Sequence, residues 1–294
     1  MKAAIRVHEP ESALPALDHV LAMLRTQLHA VRAHEQGTRL GADAEELHQM
    51  RVAVRRLRAI LRAARPMLQA EAVEALRAEL AWLGDALGVR RDLDVMRGQL
   101  TAELAGFEPV ERRGGRRLLR RLDECRKVAG LELLKALDDE RYCVLLSRVE
   151  DVIAHPPAVA AEVSLRDLAA REFKKLRKAV DALPKEPSDA DLHFVRIKVK
   201  RARYAAELAT AVEGRRAERF VAKVKRLQDI LGEHQDAVVA EERLRDLVAS
   251  MRDRRASFLA GRLVERQRVR RLFARTEFPR YWPKVERRGR QAWT

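Results

Sequence analysis

The chain has 294 residues, of which 47% are apolar and only 4% aromatic, with 13 Gly and 10 Pro. Wholesale disorder is excluded, and so few turn and strand formers argue against β-sandwiches and barrels. Lys and Arg total 60 against 44 Asp and Glu; the resulting +16 opposes compaction and points to an anionic partner such as DNA, RNA, acidic lipid or a polyphosphate.

Helical periodicity dominates. Leu17, Leu21, Leu24, Leu28 and Val31 recur at threes and fours and predict a helix from Leu14 to about Gln36. Asp43 followed by Glu46 resembles a capping box and opens a helix to about Arg65, stopped by Pro66. The next helix runs from Ala70 to Leu87 with Gly88 as its stop, and Asp92 opens another that fades at Gly106 and Pro109. A basic stretch from Glu111 to Asp139 and a helix through Tyr142 to Ile153 lead to the break at His155, Pro156 and Pro157. Helices are then predicted over Leu165–Leu183, Asp191–Val212, Arg216–Leu231 (stopped by Gly232) and Glu233–Phe273. Pro279 and Pro283 bracket Tyr281 and Trp282 in a segment read as a basic, irregular tail over 276–294.

The second half repeats the first. Leu47, His48, Met50, Arg51 and Val52 align with Leu192, His193, Val195, Arg196 and Ile197. Arg55, Arg56 and Arg58 align with Lys200, Arg201 and Arg203. Downstream, Leu83-Gly84-Asp85-Ala86-Leu87-Gly88 matches Leu227-Gln228-Asp229-Ile230-Leu231-Gly232, and Asp92 matches Asp236. Matched order predicts an all-α fold of two similar helical bundles about a pseudo-twofold axis, over about 10–157 and 158–275 within a single domain at 5–285.

On a helix His48, Arg51, Arg55, Arg58 and Arg62 fall within about 80° of arc, separate from the apolar sector of Met50, Val54, Leu57 and Leu61. The ladder is about 21 Å long, which suits a linear polyanion better than one nucleotide. His193, Arg196, Lys200 and Arg203 take the same angles in the second copy, where Glu207 replaces the fifth rung. Like charges at i, i+4 destabilise a bare helix, so neighbouring carboxylates or a bound anion must compensate. Residues 243–294 carry 16 Lys/Arg against 5 Asp/Glu, and Arg245, Arg252, Arg255, Arg262, Arg266 and Arg270 share a predicted helix face, a candidate third ladder.

These motifs resemble the CHAD family, the conserved histidine α-helical domain. Its pattern, a helix close to His-x-x-Arg-Val/Ile-x-x-Arg/Lys-Arg-x-Arg followed by Leu-x-x-x-Leu-Gly-x-x-x-Asp, occurs here as His48–Arg58 with Leu83–Asp92 and as His193–Arg203 with Leu227–Asp236. The Arg203-Tyr204 pair also looks like the family's second copy. The resemblance implies two four-helix bundles, a basic central cleft, binding of inorganic polyphosphate, and association with polyphosphate granules. Relatives with a fused CYTH triphosphatase carry a Glu-x-Glu-x-Lys strand; this sequence has none, so the resemblance is to the binding module alone.

Arg51, Arg55, Arg58, Arg196, Lys200 and Arg203 are the expected phosphate contacts, with Arg56, Arg62 and Arg201 behind them. His48 and His193 either donate to phosphate or orient an arginine, or else pack against Asp85, Asp92, Asp229 or Asp236. Asp92 and Asp236 either cap helices or fix a ladder arginine. Cations flanking both histidines repel a metal, so no metal or cofactor is expected. Neither a P-loop, an HExxH nor a nucleophile elbow is present, and an enzyme is disfavoured. Nucleic acid, RNA first, is a secondary partner, gripped through phosphates alone because Trp82, Trp282 and Trp293 are too scattered for a stacking platform. Cys125 and Cys143 form neither a CxxC pair nor a disulfide framework, and with no apolar span or signal-like N-terminus the expectation is a cytoplasmic protein without a membrane partner.

Overall fold

The computed structural model describes residues 13–159, 164–249 and 251–293; the predicted domain start at residue 5 lies outside them. Among the described residues there are nine α-helices: α1 (Ala13–Leu40), α2 (Ala44–Ala64), α3 (Ala70–Ala105), α4 (Pro109–Asp138), α5 (Glu140–Ala154), α6 (Leu165–Asp181), α7 (Asp189–Glu213), α8 (Arg215–Ala249) and α9 (Arg254–Trp293). A 3-10 turn, Arg65–Met67, follows α2.

The ladder helices start as their sequences dictate. The Asp43 side chain accepts from the Glu45 amide at 2.8 Å and opens α2. Glu46 does not complete a capping box; it meets His34 of α1 at 2.9 Å. Ser188 and Asp191 do form a box at the start of α7, with the Ser188 hydroxyl accepting from the Asp191 amide and the Asp191 carboxylate accepting from the Ser188 amide.

Four predicted boundaries are corrected. Gly88 and Gly232 do not end helices, because α3 and α8 run straight through them. A mid-helix Gly costs about 1 kcal/mol relative to Ala. Burial of Leu83, Leu87, Met96, Leu100 and Leu104 along α3 outweighs that cost, and neither glycine has positive φ. Asp92 and Asp236 are therefore mid-helix residues and cap nothing. The helix predicted over 233–273 is instead two helices: Asp253 accepts from the Arg255 and Ala256 amides and starts α9 afresh. The segment 276–294 is not irregular, since α9 passes through Pro279 and Pro283 to Trp293. Phe278, Trp282, Val285 and Trp293 are buried and hold that turn-poor stretch in place despite the missing proline donors. Trp293 meets Phe220 edge-on at 5.7 Å, and Phe220 meets Phe173 at 5.3 Å. Gly289 is required there, because a Cβ would collide with the Phe173 ring.

One apolar core runs through both repeats. It joins α1, α2, α3 and α5 to α6, α7, α8 and the C-terminal half of α9. A second, smaller core forms where the outer halves of α3, α4, α8 and α9 meet, around Met96, Leu104, Phe107, Leu118, Leu244 and Leu259. The segment joining the repeats is stitched to the α2–α3 connection, with Gln69 N–H donating to Pro157 and Val159 N–H to Met67. α2 and α7 lie side by side between the two repeats.

Candidate functional site

Met50, Val54, Leu57 and Leu61 are fully buried and turn the opposite face of α2 outward. On α7 the equivalent job falls to Val195, Val199, Ala202, Ala206 and Ala209. The two outward faces meet. Arg196 and Lys200 of α7 lie in the field of Arg51 and Arg55 of α2. Four cations from two repeats thus share one partly buried volume.

The carboxylates facing them do not balance that charge. Asp92 of α3 holds Arg51 at 3.2 Å and Arg243 of α8 at 2.9 Å. Asp92 thereby touches one arginine from each repeat. Asp236 faces Arg196 without an ion pair within 4.0 Å among the described residues, and Arg196 Nε is buried with no hydrogen-bond partner. Burial raises the Asp236 pKa, with Arg196 opposing and Glu233 and Asp92 reinforcing. The electrostatic contact of Asp92 with Asp236 places the paired aspartates of the two repeats together at the centre.

The clearest consequence is at Lys200. Burial first, then Arg196, Arg55 and Arg51, push its pKa down to about 7, with Asp236 opposing too weakly to restore it. Burial likewise lowers Arg51 and Arg196 below the usual arginine range. The cluster is electrostatically incomplete: an anion placed in it relieves repulsion that the protein itself does not.

The other predicted residues divide. Arg58 lies beside Gly84, with Asp85 acting on it as an opposing charge. Arg62, exposed at the end of α2, faces Arg201 of α7. Arg56 is exposed and has no ion pair among the described residues. Arg203 is engaged within its own repeat. Its guanidinium donates to Glu207 at 2.8 Å and Gln228 at 3.2 Å, and it lies over the Tyr204 ring. It is already neutralised by the residue that replaces the fifth rung.

The histidines bond to none of the four aspartates considered. His193 Nδ1 meets Gln235 Oε1 at 2.6 Å, and His48 has no hydrogen-bond partner among the described residues. Burial, Arg91, Arg51 and Arg55 lower the His48 pKa against the pull of Glu45. Among the described residues no three His, Cys, Asp or Glu side chains are grouped to hold a metal ion. No described helix is long and apolar enough to cross a membrane.

The third ladder does not form. Arg245 sits on α8 and Arg252 in the connection, so the six residues share no helix. Arg245 pairs with Glu241, Arg262 with Glu111, Arg266 with Glu103, and Arg270 with Glu233. Sequence reading missed Arg243, although it stands two turns beyond Asp236 on the same face of α8. It also missed the cations of a 250 Å³ pocket at the end of α2, among them Arg77, Arg171 and Lys175.

Comparison with known proteins gives the family and the fold. The CHAD domain family model matches residues 22–245. An uncharacterized protein of Mycobacterium tuberculosis, Rv2226, is 31% identical over 249 residues, covering 80% of this chain and 46% of the relative. The chain thus spans about half the length of the curated relatives it matches. Among solved structures, the CHAD domain from the plant Ricinus communis superposes with a TM-score of 0.71 at 26% identity, covering 92% of both chains. PptA from Streptomyces chartreusis has the same fold, with a TM-score of 0.73 at 24% identity over 90% of this chain and 98% of its own. With both His–Arg ladders and both downstream aspartates inside the matched span, the chain belongs to the CHAD family.

Proposed function

We propose that this protein is a non-catalytic binder of long-chain inorganic polyphosphate, held in the cleft between α2 and α7 and acting at polyphosphate granules. The observation that carries the reading is the meeting of Arg51, Arg55, Arg196 and Lys200 with too little opposing charge. Polyphosphate has the matching chemistry, since each phosphate offers anionic oxygens to forked guanidinium donors along a line. Trp82, Trp282 and Trp293 are scattered along the chain, which favours a bare phosphate chain over RNA. The granule assignment follows from what family membership implies.

The test is binding of labelled long-chain polyphosphate at near-physiological salt, with RNA and duplex DNA as competitors at equal phosphorus. Polyphosphate should hold while both nucleic acids compete poorly. Four phosphate contacts give a slope of log K against log salt of about −3, using the value for flexible single strands. Displacement by RNA phosphate for phosphate would overturn the reading in favour of a general polyanion binder. Steady release of orthophosphate above a buffer blank would overturn the non-catalytic assignment.

A further inference from the structure

The 250 Å³ pocket lies where the first ladder ends, under the turn after α2 and against α3, α6 and α7. Arg62 and Arg201 reach it from the two ladder helices, and Arg77, Arg171 and Lys175 from α3 and α6. Arg62, Arg171 and Arg201 have no ion pair among the described residues. Arg77 is engaged by Glu74 through Nη1, while its Nε is buried and unpartnered. Glu172 accepts from Lys175 through Oε1 at 2.6 Å, while its Oε2 is buried and unpartnered. The wall therefore holds both a donor and an acceptor that the protein leaves unsatisfied, a costly condition for buried groups.

A carboxylate is a poor neighbour for the interior of a polyphosphate chain. Interior phosphates are strong acids and bring only negative charge. The terminal phosphoryl differs, because its second ionisation lies near neutrality, with a pKa of about 6 for a phosphate monoester. It alone brings three non-bridging oxygens for arginines and a proton that a buried carboxylate oxygen can accept. In the second repeat Glu207 stands where the first has Arg62, so the second ladder does not supply the same cation at its own corner.

Resting on the polyphosphate reading above, we propose that this pocket receives the terminal phosphoryl group of a linear polyphosphate. The groove then holds the chain in a single direction, with its end anchored beyond Arg62. Arg62, Arg171 and Arg201 take the terminal oxygens, Arg77 Nε donates to one of them, and Glu172 Oε2 accepts the terminal proton.

The experiment compares short polyphosphates of one length with free ends or with ends blocked as phosphoramidates. Free-ended chains should bind at least about tenfold more tightly. In R62Q/R171Q, whose two side chains are exposed and whose loss leaves the core intact, blocked and free chains should bind alike. Equal binding of both chains to the unaltered protein, or survival of the free-end advantage in R62Q/R171Q, overturns end recognition while leaving groove binding standing. Failure of long-chain polyphosphate to bind at all overturns both readings.

Discussion

The two ladders descend from one pattern and have become different electrostatic devices. In the first, Arg51 is held by Asp92, which is shared with Arg243 from the other repeat, and the row continues to Arg62. In the second, Arg196 has no ion pair among the described residues, a lysine stands where the first copy has Arg55, and Glu207 closes the row by taking Arg203. Duplication supplied matched helices that meet at the centre. Divergence then made one ladder a fixed rail of guanidiniums and the other a shorter, titratable face.

The harshest way to break this picture is to reverse charge on both rails together. Arg55→Glu with Lys200→Glu turns two cations into anions beside each other, and polyphosphate affinity should fall at least about 100-fold, roughly 2.7 kcal/mol. Helicity should persist, because the core faces of α2 and α7 are untouched. Unchanged affinity in a binding titration, with circular dichroism confirming the fold, would remove the cleft from consideration.

The lysine at position 200 gives the second test. Free Lys200 has a pKa of about 7, and a bound polyanion raises it, so binding takes up a proton between the two values. Affinity should decline as pH rises above 7, by up to tenfold per unit. Stability of the free protein moves the other way. The folded pKa lies below the unfolded value near 10.4, so this group makes the protein more stable as pH rises from about 7 towards 10. Lys200→Arg should flatten the affinity profile, and a profile of unaltered steepness in that variant would assign the proton elsewhere.

How much of this was readable beforehand depended on the range of the forces involved. The ladders were legible because a 3.6-residue period sorts Met50, Val54, Leu57 and Leu61 from the arginines without any knowledge of neighbours. Gly88, Gly232, Pro279 and Pro283 misled because they are local signals, and the burial of Leu87, Leu100, Phe278 and Trp282 overrides them. The third ladder failed for a related reason. Arg262, Arg266 and Arg270 are neutralised by Glu111, Glu103 and Glu233, which reach α9 from α4, α3 and α8. Arg77, Arg171 and Lys175 belong to no motif, and only tertiary packing brings them to the end of α2. The neutralisation of Arg203 was different, since Glu207 stands four residues on and such pairs meet on any helix.

That pair supplies the finest test of how the two copies differ. Glu207→Gln keeps the size and a hydrogen-bond acceptor for Arg203 but removes the charge, and Arg203 becomes available to the groove. A partly exposed i, i+4 pair of this kind contributes only about 0.3–0.5 kcal/mol to the helix, so stability should scarcely change. One additional phosphate contact should raise affinity about threefold and steepen the salt dependence by about 0.7. The two readouts separate the alternatives. A gain in affinity with an unchanged salt slope would mean that Glu207 only repelled the polyanion from a distance, and that Arg203 serves the fold through Tyr204 and Gln228 and is not a rung of the ladder.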